Sequence, residues 1–279
     1  MKLQLVPARQ GAVWVQRGFQ AFMRQPIGFA SLFAVCLFVV LLLRAGPALL
    51  SLALVIVAPA VSLLFMIATR LSTEGRSPMP HAFTELARAG RPSHVGLLKL
   101  GIAYLVAATA IYALSAAVDG GAFGTFVEST RDGKSSQEEV VANMVDARLQ
   151  LGFFLWFTLV GLLAVPFWHA PALVHWGAQG WAKSLFFSTV AVWRNRGAFA
   201  MFGLTWAAVG FAFMMLSAVG VGLLGPQLYP VVAAPVMLAL ATVFYASLWF
   251  TFADCFAPDA TDVAPSGDPD PDPFTKGSP

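Results

Sequence analysis

Charged residues are scarce in this chain. Of its 279 residues only 11% are Asp, Glu, Lys or Arg, whereas 58% are hydrophobic and the mean hydropathy is +0.73. A soluble domain has about 25% charged and roughly 45–50% apolar residues. A soluble globule with this composition could not cover its apolar surface, so an ordinary soluble enzyme and a disordered chain are both excluded. The composition indicates an integral membrane protein.

Cysteine is almost absent as well. Only Cys36 and Cys255 occur, and both lie within or beside apolar runs. Two such isolated thiols can form neither a disulfide framework nor a thiolate metal site, which excludes a disulfide-rich secreted domain.

Ionisable groups are missing from the middle of the apolar runs. Arg44, Lys99 and Asp254 lie only at the ends of such runs. Proton pumps and ion-coupled transporters characteristically use acids and bases buried in the membrane. The lack of such residues in the apolar runs therefore argues against both functions. His169 and His175 lie on different faces of a helix, and we interpret them as interfacial histidines in an aromatic belt rather than as a metal pair. The sequence therefore predicts no enzyme activity, no cofactor and no metal site.

Six apolar runs are long enough to cross a bilayer, which requires about 20 residues. The uncharged run 197–253 is too long for one span, so it must fold back, and the stretch 220–226 with its glycines and proline provides the break. We predict an all-α polytopic bundle of six transmembrane helices within residues 1–256, followed by a disordered acidic tail, 257–279, rich in Asp and Pro. The predicted spans lie near 27–43, 47–69, 98–118, 149–174, 198–222 and 228–253.

Lysine and arginine concentrate on one side of the predicted membrane. They cluster before the first, third and fifth spans, whereas the connections on the opposite side carry only Arg44, Arg131, Lys134 and Arg148. Positive residues favour the cytoplasm. We therefore predict that both termini are cytoplasmic and that the longest loop, 119–148, lies outside. Arginines at cytoplasmic helix ends also explain the pI of about 9.1, so we expect no nucleic-acid partner.

A short amphipathic stretch precedes each odd-numbered span. Such helices usually lie in the membrane interface, with arginine at the headgroups and aromatic residues below them. We therefore predict three cytoplasmic interfacial helices. Their apolar stripes are Val15, Phe19 and Phe22 in the first, Phe83 and Leu86 in the second, and Leu185, Thr189, Val192 and Trp193 in the third. The arginines predicted to contact anionic lipid headgroups are Arg24, Arg88, Arg194 and Arg196.

Each even-numbered span contains a proline. Pro59, Pro166 and Pro235 each follow two small or aliphatic residues, and proline inside a helix removes a backbone hydrogen bond and kinks the helix. One interpretation is a threefold repeat of interfacial helix plus membrane hairpin. The other is coincidence, because proline is common in membrane helices.

The N-terminal segment carries a distinctive pattern. Residues 8–19 read Ala-Arg-Gln-Gly-Ala-Val-Trp-Val-Gln-Arg-Gly-Phe, residues 22–26 read Phe-Met-Arg-Gln-Pro, and residues 193–197 read Trp-Arg-Asn-Arg-Gly. Together with the six-span layout, these segments resemble a betaproteobacterial family of six-span inner-membrane proteins with no assigned activity. The resemblance covers residues 5 to about 256. It implies a bacterial inner-membrane location and transfers no functional residues.

Two function classes are kept. We favour a non-catalytic scaffold or accessory membrane protein that contacts anionic lipids, with membrane lipids and other membrane proteins as its partners. The alternative is an uncoupled transporter for a neutral or hydrophobic solute, with the proline-containing spans lining its path. A third hypothesis, an enzyme acting on lipids, would have to rely on His169 and His175.

Overall fold

The computed structural model describes residues 2–131 and 146–257, and this part of the chain is a bundle of long helices. Six of the helices have the length and apolar character of membrane spans, which confirms the predicted six-span, all-α architecture. The predicted tail lies outside the described residues, apart from Ala257. The spans, numbered 1 to 6, are Pro26–Ala45, Leu52–Thr73, Arg91–Asp119, Ala147–His175, Arg196–Gly225 and Gln227–Cys255.

Short helices and one pair of short strands accompany the spans. Helix α10 contains both span 5 and span 6, and its backbone leaves helical geometry at Gly225, where φ is +76°. Glycine tolerates this φ because it has no Cβ, so the reversal occurs within the predicted stretch 220–226. The elements are β1 (Lys2–Leu3), α1 (Gln10–Arg24), α2 (Pro26–Ala45), α3 (Ala48–Thr73), α4 (His81–Arg88), α5 (Arg91–Asp119), α6 (Ala122–Arg131), α7 (Ala147–Phe167), α8 (Ala170–His175), α9 (Trp181–Arg194), α10 (Arg196–Cys255) and β2 (Phe256–Ala257).

Spans 3 and 4 differ in detail from the sequence prediction. Helix α5 begins at Arg91, before the predicted start at 98, because Pro92 is well tolerated in the first turn of a helix. Lys99 therefore lies eight residues after the start of the helix rather than at its start. The fourth span is interrupted between Phe167, where α7 ends, and Ala170, where α8 begins.

The order of elements repeats along the chain. The amphipathic helices α1, α4 and α9 each precede an odd-numbered span, and the joints between them are Gln25, residues 89–90 and Asn195. Each of the three units then continues with two spans. Helix α3 continues through Pro59, whereas Pro166 lies one residue before the end of α7, and the kinks predicted at the prolines stay a prediction.

Helix α1 packs against protein along its apolar face. Trp14 is fully buried and Val15 almost so, in a cluster with Ala198 at the start of span 5 and Phe252 near the end of span 6. The fit depends on Gly11, where any side chain would collide with the carbonyl oxygen of Ala198. The helix therefore joins the two ends of α10.

Candidate functional site at the polar end of the bundle

One end of the bundle, here called the polar end, carries all three amphipathic helices. Helix α1 contacts both ends of α10, α4 contacts α3, and α9 contacts α7 and α8. The contacts fall at the starts of the odd-numbered spans and the ends of the even-numbered spans, which an up-and-down bundle places on one side. Arginine and aromatic side chains, the residue types suited to lipid headgroups, can therefore meet there.

Asp254, at the end of span 6, receives hydrogen bonds from three side chains of α1. Its Oδ2 accepts from Gln10 Nε2 at 2.6 Å and from Trp14 Nε1 at 2.8 Å, and Arg17 Nη1 lies 3.3 Å from the same oxygen. The three donors are spaced four and three residues apart, so they share one face of α1. A carboxylate that accepts several donors holds the helix in one position.

Asn195, the joint between α9 and span 5, holds the N-terminal segment. Its Oδ1 accepts from the backbone N–H of Val6 at 2.9 Å, and its Nδ2 donates to the carbonyls of Gln4 and Ala191 at 3.0 and 3.1 Å. The backbone N–H of Gln4 in turn donates to the carbonyl of Cys255 at 2.9 Å, beside the antiparallel pair β1–β2. Asn195 is buried, and these bonds satisfy its amide.

Arg70, near the end of span 2, forms the shortest ion pair of the described part of the polar end. Its Nη2 lies 2.8 and 2.7 Å from the two carboxylate oxygens of Glu85 in α4. The other side of Glu85 faces His175, whose Nε2 lies 3.7 Å away and whose Nδ1 lies 3.3 Å from Ser93 Oγ. The guanidinium also lies 5.6 Å from the ring centroid of Trp176. This cluster ties α4 to spans 2, 3 and 4.

Arg24, the last residue of α1, lines two clefts, of which only the second includes residues of span 1. The first, about 200 Å³, also contains Arg17 and Gln20. The second, about 580 Å³, lies beside the joint and includes Ser31 and Ser77. Guanidinium groups with hydroxyl and amide donors nearby match the oxygens of a phosphate group. The pair of clefts can therefore accommodate an anionic headgroup.

A third cleft lies along α4. It has a volume of about 420 Å³ and contains Arg76, Arg88 and His81. Its carboxylate, Glu85, is already paired with Arg70. The two cleft arginines therefore outweigh the acid, and the cleft favours an anion.

The structure places the four predicted headgroup arginines at three separate positions. Arg24 and Arg88 line the clefts just described, whereas Arg194 and Arg196 flank the joint at Asn195. All four side chains are exposed, and the Arg196 guanidinium lies 5.8 Å from the ring centroid of Trp193. Their contact with lipid stays a prediction.

The two histidines have different surroundings. His169 is completely buried, its Nε2 lies 3.2 Å from Thr251 Oγ1, and its backbone N–H donates to Ser188 Oγ at 2.9 Å. His175 belongs to the Arg70 cluster instead. Across residues 2–131 and 146–257, no group of three or more His, Cys, Asp or Glu could hold a metal ion. Within these residues the two histidines have no hydrogen-bond partner in common.

The predicted proline positions are partly brought together. Pro59 lines a cavity of about 200 Å³ at membrane depth, and so do Ala164 and Phe167, which flank Pro166. Pro235 does not belong to the lining of this cavity. Spans 2 and 4 thus line one cavity near their prolines, whereas the proline of span 6 does not line it.

The residues that hold the polar end together are not evident from the sequence. Sequence reasoning locates Asp254 only at the end of a span and indicates no partner for Arg70 or Asn195. One signal is present: Gln10, Trp14 and Arg17 share a helical face that is too polar for lipid. Its partner lies more than 200 residues away, and neither spacing nor hydropathy reveals such a pairing.

A relative supports the membrane assignment. The chain is 31% identical over 264 residues to a probable inner membrane protein of Burkholderia thailandensis, and the alignment spans 92% of this chain and 94% of the relative. No protein-family model and no solved structure matches the chain. The near-complete coverage confirms the family resemblance drawn from the N-terminal pattern. The chain therefore belongs to the family of this Burkholderia inner membrane protein, and it is a multi-pass membrane protein with six spans.

Proposed function

We propose that the protein is a non-catalytic scaffold or accessory protein of the bacterial inner membrane, and that its polar end binds anionic lipid headgroups. The observation that carries this proposal is the position of Arg24, which lines two clefts, one of them directly beside the start of span 1. A lipid whose acyl chains lie along that span would have its phosphate at this level. Membrane lipids and other membrane proteins are the proposed partners.

The distribution of charge supports the same proposal. Arg24, Arg88 and Arg194 each end an amphipathic helix, and Arg196 begins span 5. Arginine near an anionic membrane surface contributes about 1 kcal/mol of attraction. Because the arginines are distributed over three positions, several lipids could bind around the perimeter of the polar end.

The exposed aromatic side chains of helix α9 also support the proposed headgroup binding. Ser184, Ser188 and Ala191 face the protein, whereas Trp193 is 70% exposed and Phe186 is 63% exposed. Large aromatic side chains facing outward next to arginine are typical of the headgroup level of a membrane.

The test is lipid retention. We would purify the protein in mild detergent and count bound phosphatidylglycerol and cardiolipin by native mass spectrometry. A variant with Arg24, Arg88, Arg194 and Arg196 changed to Gln is expected to bind these lipids at least roughly tenfold more weakly. The control is Arg148→Gln, which removes an exposed arginine from the opposite end of the bundle. Equal lipid retention by both variants and the unmodified protein would contradict the proposal.

A second candidate function is an uncoupled carrier for a neutral or hydrophobic solute. The cavity beside Pro59 favours it, because that cavity lies at membrane depth and has no Asp, Glu, Lys, Arg or His in its lining. A carrier would release a neutral solute from proteoliposomes faster than from protein-free liposomes, and filling the cavity with Ala164→Leu would remove the difference. Equal rates in both preparations would exclude this function for that solute.

A further inference from the structure

A cavity of about 200 Å³ lies between spans 2, 3, 4 and 6. Tyr104, one of its lining residues, lies about 20 Å along span 3 from Arg91 at 1.5 Å per residue. Tyr245 lies roughly 15 Å along span 6 from Cys255 by the same measure. Lys99 lies only five residues before Tyr104, which is about 8 Å. Because the hydrocarbon core is about 30 Å thick, the cavity lies within the membrane, in the half nearer the polar end.

The space arises because small residues face aromatic ones. Ala58, Pro59 and Ala164 leave room on spans 2 and 4 that no neighbouring side chain of the described residues fills. The aromatic walls are held by ring contacts: Tyr104 meets Phe167, another lining residue, edge-on at 5.0 Å, and Tyr245 stacks on Phe65, which is not in the lining, at 5.1 Å. Tight packing is the rule in protein interiors, so a ligand that fills this space adds packing contacts with its walls.

Two hydroxyl groups in the lining have no protein partner within the part of the chain that the structure describes. Neither Tyr104 nor Tyr245 has a hydrogen bond from its phenolic oxygen there, although both side chains are half-buried. The Ser62 hydroxyl donates to the Pro59 carbonyl at 2.8 Å, so its oxygen can still accept. A tyrosine hydroxyl in apolar surroundings usually has a partner. The geometry therefore provides donors and acceptors for an oxygen-bearing ligand.

The lining also defines the charge and size of that ligand. The lining has no Asp, Glu, Lys, Arg or His, so the cavity has no opposite charge to stabilise a charged ligand within the membrane. An apolar cavity of about 150 Å³ is enough to hold benzene. One ring therefore fits the available volume.

We propose that this cavity binds the ring of a neutral, lipid-soluble quinone or phenol. The ring packs between the aromatic walls, and its carbonyl or hydroxyl oxygens bond with Tyr104 and Tyr245. This site shares no residue with the clefts of the polar end, so it is independent of the proposed headgroup binding.

The proposal can be tested by equilibrium dialysis. We would place the purified protein in nanodiscs of synthetic phosphatidylcholine, add 2,6-dimethyl-1,4-benzoquinone, a quinone with a single ring, and subtract the uptake of empty nanodiscs. We expect saturable binding, accompanied by quenching of tryptophan fluorescence because Trp168 lines the cavity. Ala164→Leu fills the cavity and is expected to weaken binding by about tenfold or more. Tyr104→Phe and Tyr245→Phe keep the rings and are each expected to weaken binding roughly 3- to 10-fold.

Matched controls separate the cavity from general effects. Tyr112→Phe removes a hydroxyl from an exposed position of the same span as Tyr104, and Ala110→Leu adds bulk to that span at an exposed position. Both controls are expected to bind like the unmodified protein. The Arg24→Gln variant is also expected to bind normally, which distinguishes this site from the headgroup clefts.

Two results would overturn the proposal. One is uptake that does not saturate, and the other is unchanged affinity in the Tyr104→Phe/Tyr245→Phe double variant. Because the double variant keeps the ring packing, it tests the site even where Ala164→Leu fails to fold.

Discussion

Asp254 shows how a single side chain can determine the position of a whole helix. Its carboxylate is the only charged group on the last turns of span 6, and it meets Gln10, Trp14 and Arg17 together. Trp14 is fully buried, so its indole N–H depends on this acceptor. Arg17 is 42% exposed, so water screens its charge. We therefore assign Arg17 a smaller contribution than Trp14 to holding α1 in place.

The first prediction concerns this carboxylate. Asp254→Ala leaves the indole of Trp14 and the amide of Gln10 without their acceptor, which we expect to cost about 1–3 kcal/mol of unfolding free energy. The measurement is unfolding in mixed SDS micelles, followed by near-ultraviolet circular dichroism. Glu128→Ala, at an exposed acid of α6, is the control and is expected to change little. Equal effects of the two variants would contradict the assigned role.

The second prediction concerns the ion pair between Arg70 and Glu85. Glu85→Ala leaves the partly buried Arg70 guanidinium without the carboxylate that its Nη2 contacts. We expect this change to cost about 1–3 kcal/mol of unfolding free energy. The double variant Arg70→Met/Glu85→Leu is expected to lose less stability than the sum of the losses of Arg70→Met and Glu85→Leu made singly, because neither charge is then left unpaired. Glu74→Ala is the control, since its contacts with arginine are 3.7 Å long. Strict additivity in the same SDS titration would show that the pair is not coupled.

At the scale of elements, α1 owes its position to glycine as much as to charge. A Cβ at Gly11 would collide with the carbonyl of Ala198, and one at Gly18 would lie 2.9 Å from the Cβ of Ser247. These two glycines allow α1 to approach both ends of α10 closely. If positions 11 and 18 held larger residues, α1 could still lie in the membrane interface. Trp14 could not then reach its buried position.

The third prediction follows from this close approach. Gly11→Ala is expected to displace α1 and to speed tryptic cleavage at Arg17, because a displaced helix exposes its backbone. Gly203→Ala in span 5 is the matched control, since a Cβ there has nothing within 4 Å. That change is expected to be neutral or to stabilise by up to about 1 kcal/mol through helix propensity. Unchanged proteolysis of the Gly11 variant would show that the backbones do not need this contact.

Helix α9 shows why its orientation is harder to predict than its existence. The spacing of Leu185, Thr189 and Val192 predicts an amphipathic helix, and α9 forms. The side buried against protein is instead Ser184, Ser188 and Ala191. In a membrane the surroundings are apolar as well, so an apolar stripe does not have to face the protein.

For the whole molecule, the scarcity of charge allows much of the fold to be predicted. Uncharged runs locate six spans, and the glycines and proline of 220–226 locate the turn that occurs at Gly225. Contacts between distant segments cannot be predicted in this way. Hydropathy does not indicate which polar side chains pair with each other. The roles of Asp254 and Asn195 therefore become visible only in the three-dimensional structure. The cavity near Pro59 depends on how four spans meet, which the sequence pattern does not specify either.

The fourth prediction concerns orientation in the membrane. The distribution of arginine predicts that the polar end faces the cytoplasm. In a background with Cys36→Ala and Cys255→Ala, Glu128→Cys is expected to react with a membrane-impermeant maleimide in intact spheroplasts. Thr84→Cys, at an exposed position of α4, is expected to react only after permeabilisation. The reverse labelling pattern would contradict the predicted orientation.

The pairing of α1 with the end of span 6 has a consequence for biosynthesis. Gln10 and Asp254 are separated by 244 positions, and a ribosome adding roughly 5–20 residues per second needs roughly 12–50 s to cover that distance. During that interval Trp14 is made and leaves the ribosome, while its carboxylate partner has not yet been synthesised. Nascent α1 is amphipathic and can lie at the bilayer surface until span 6 is made. A chain that stops before span 6 leaves Trp14 without its acceptor and α1 without its position on the bundle.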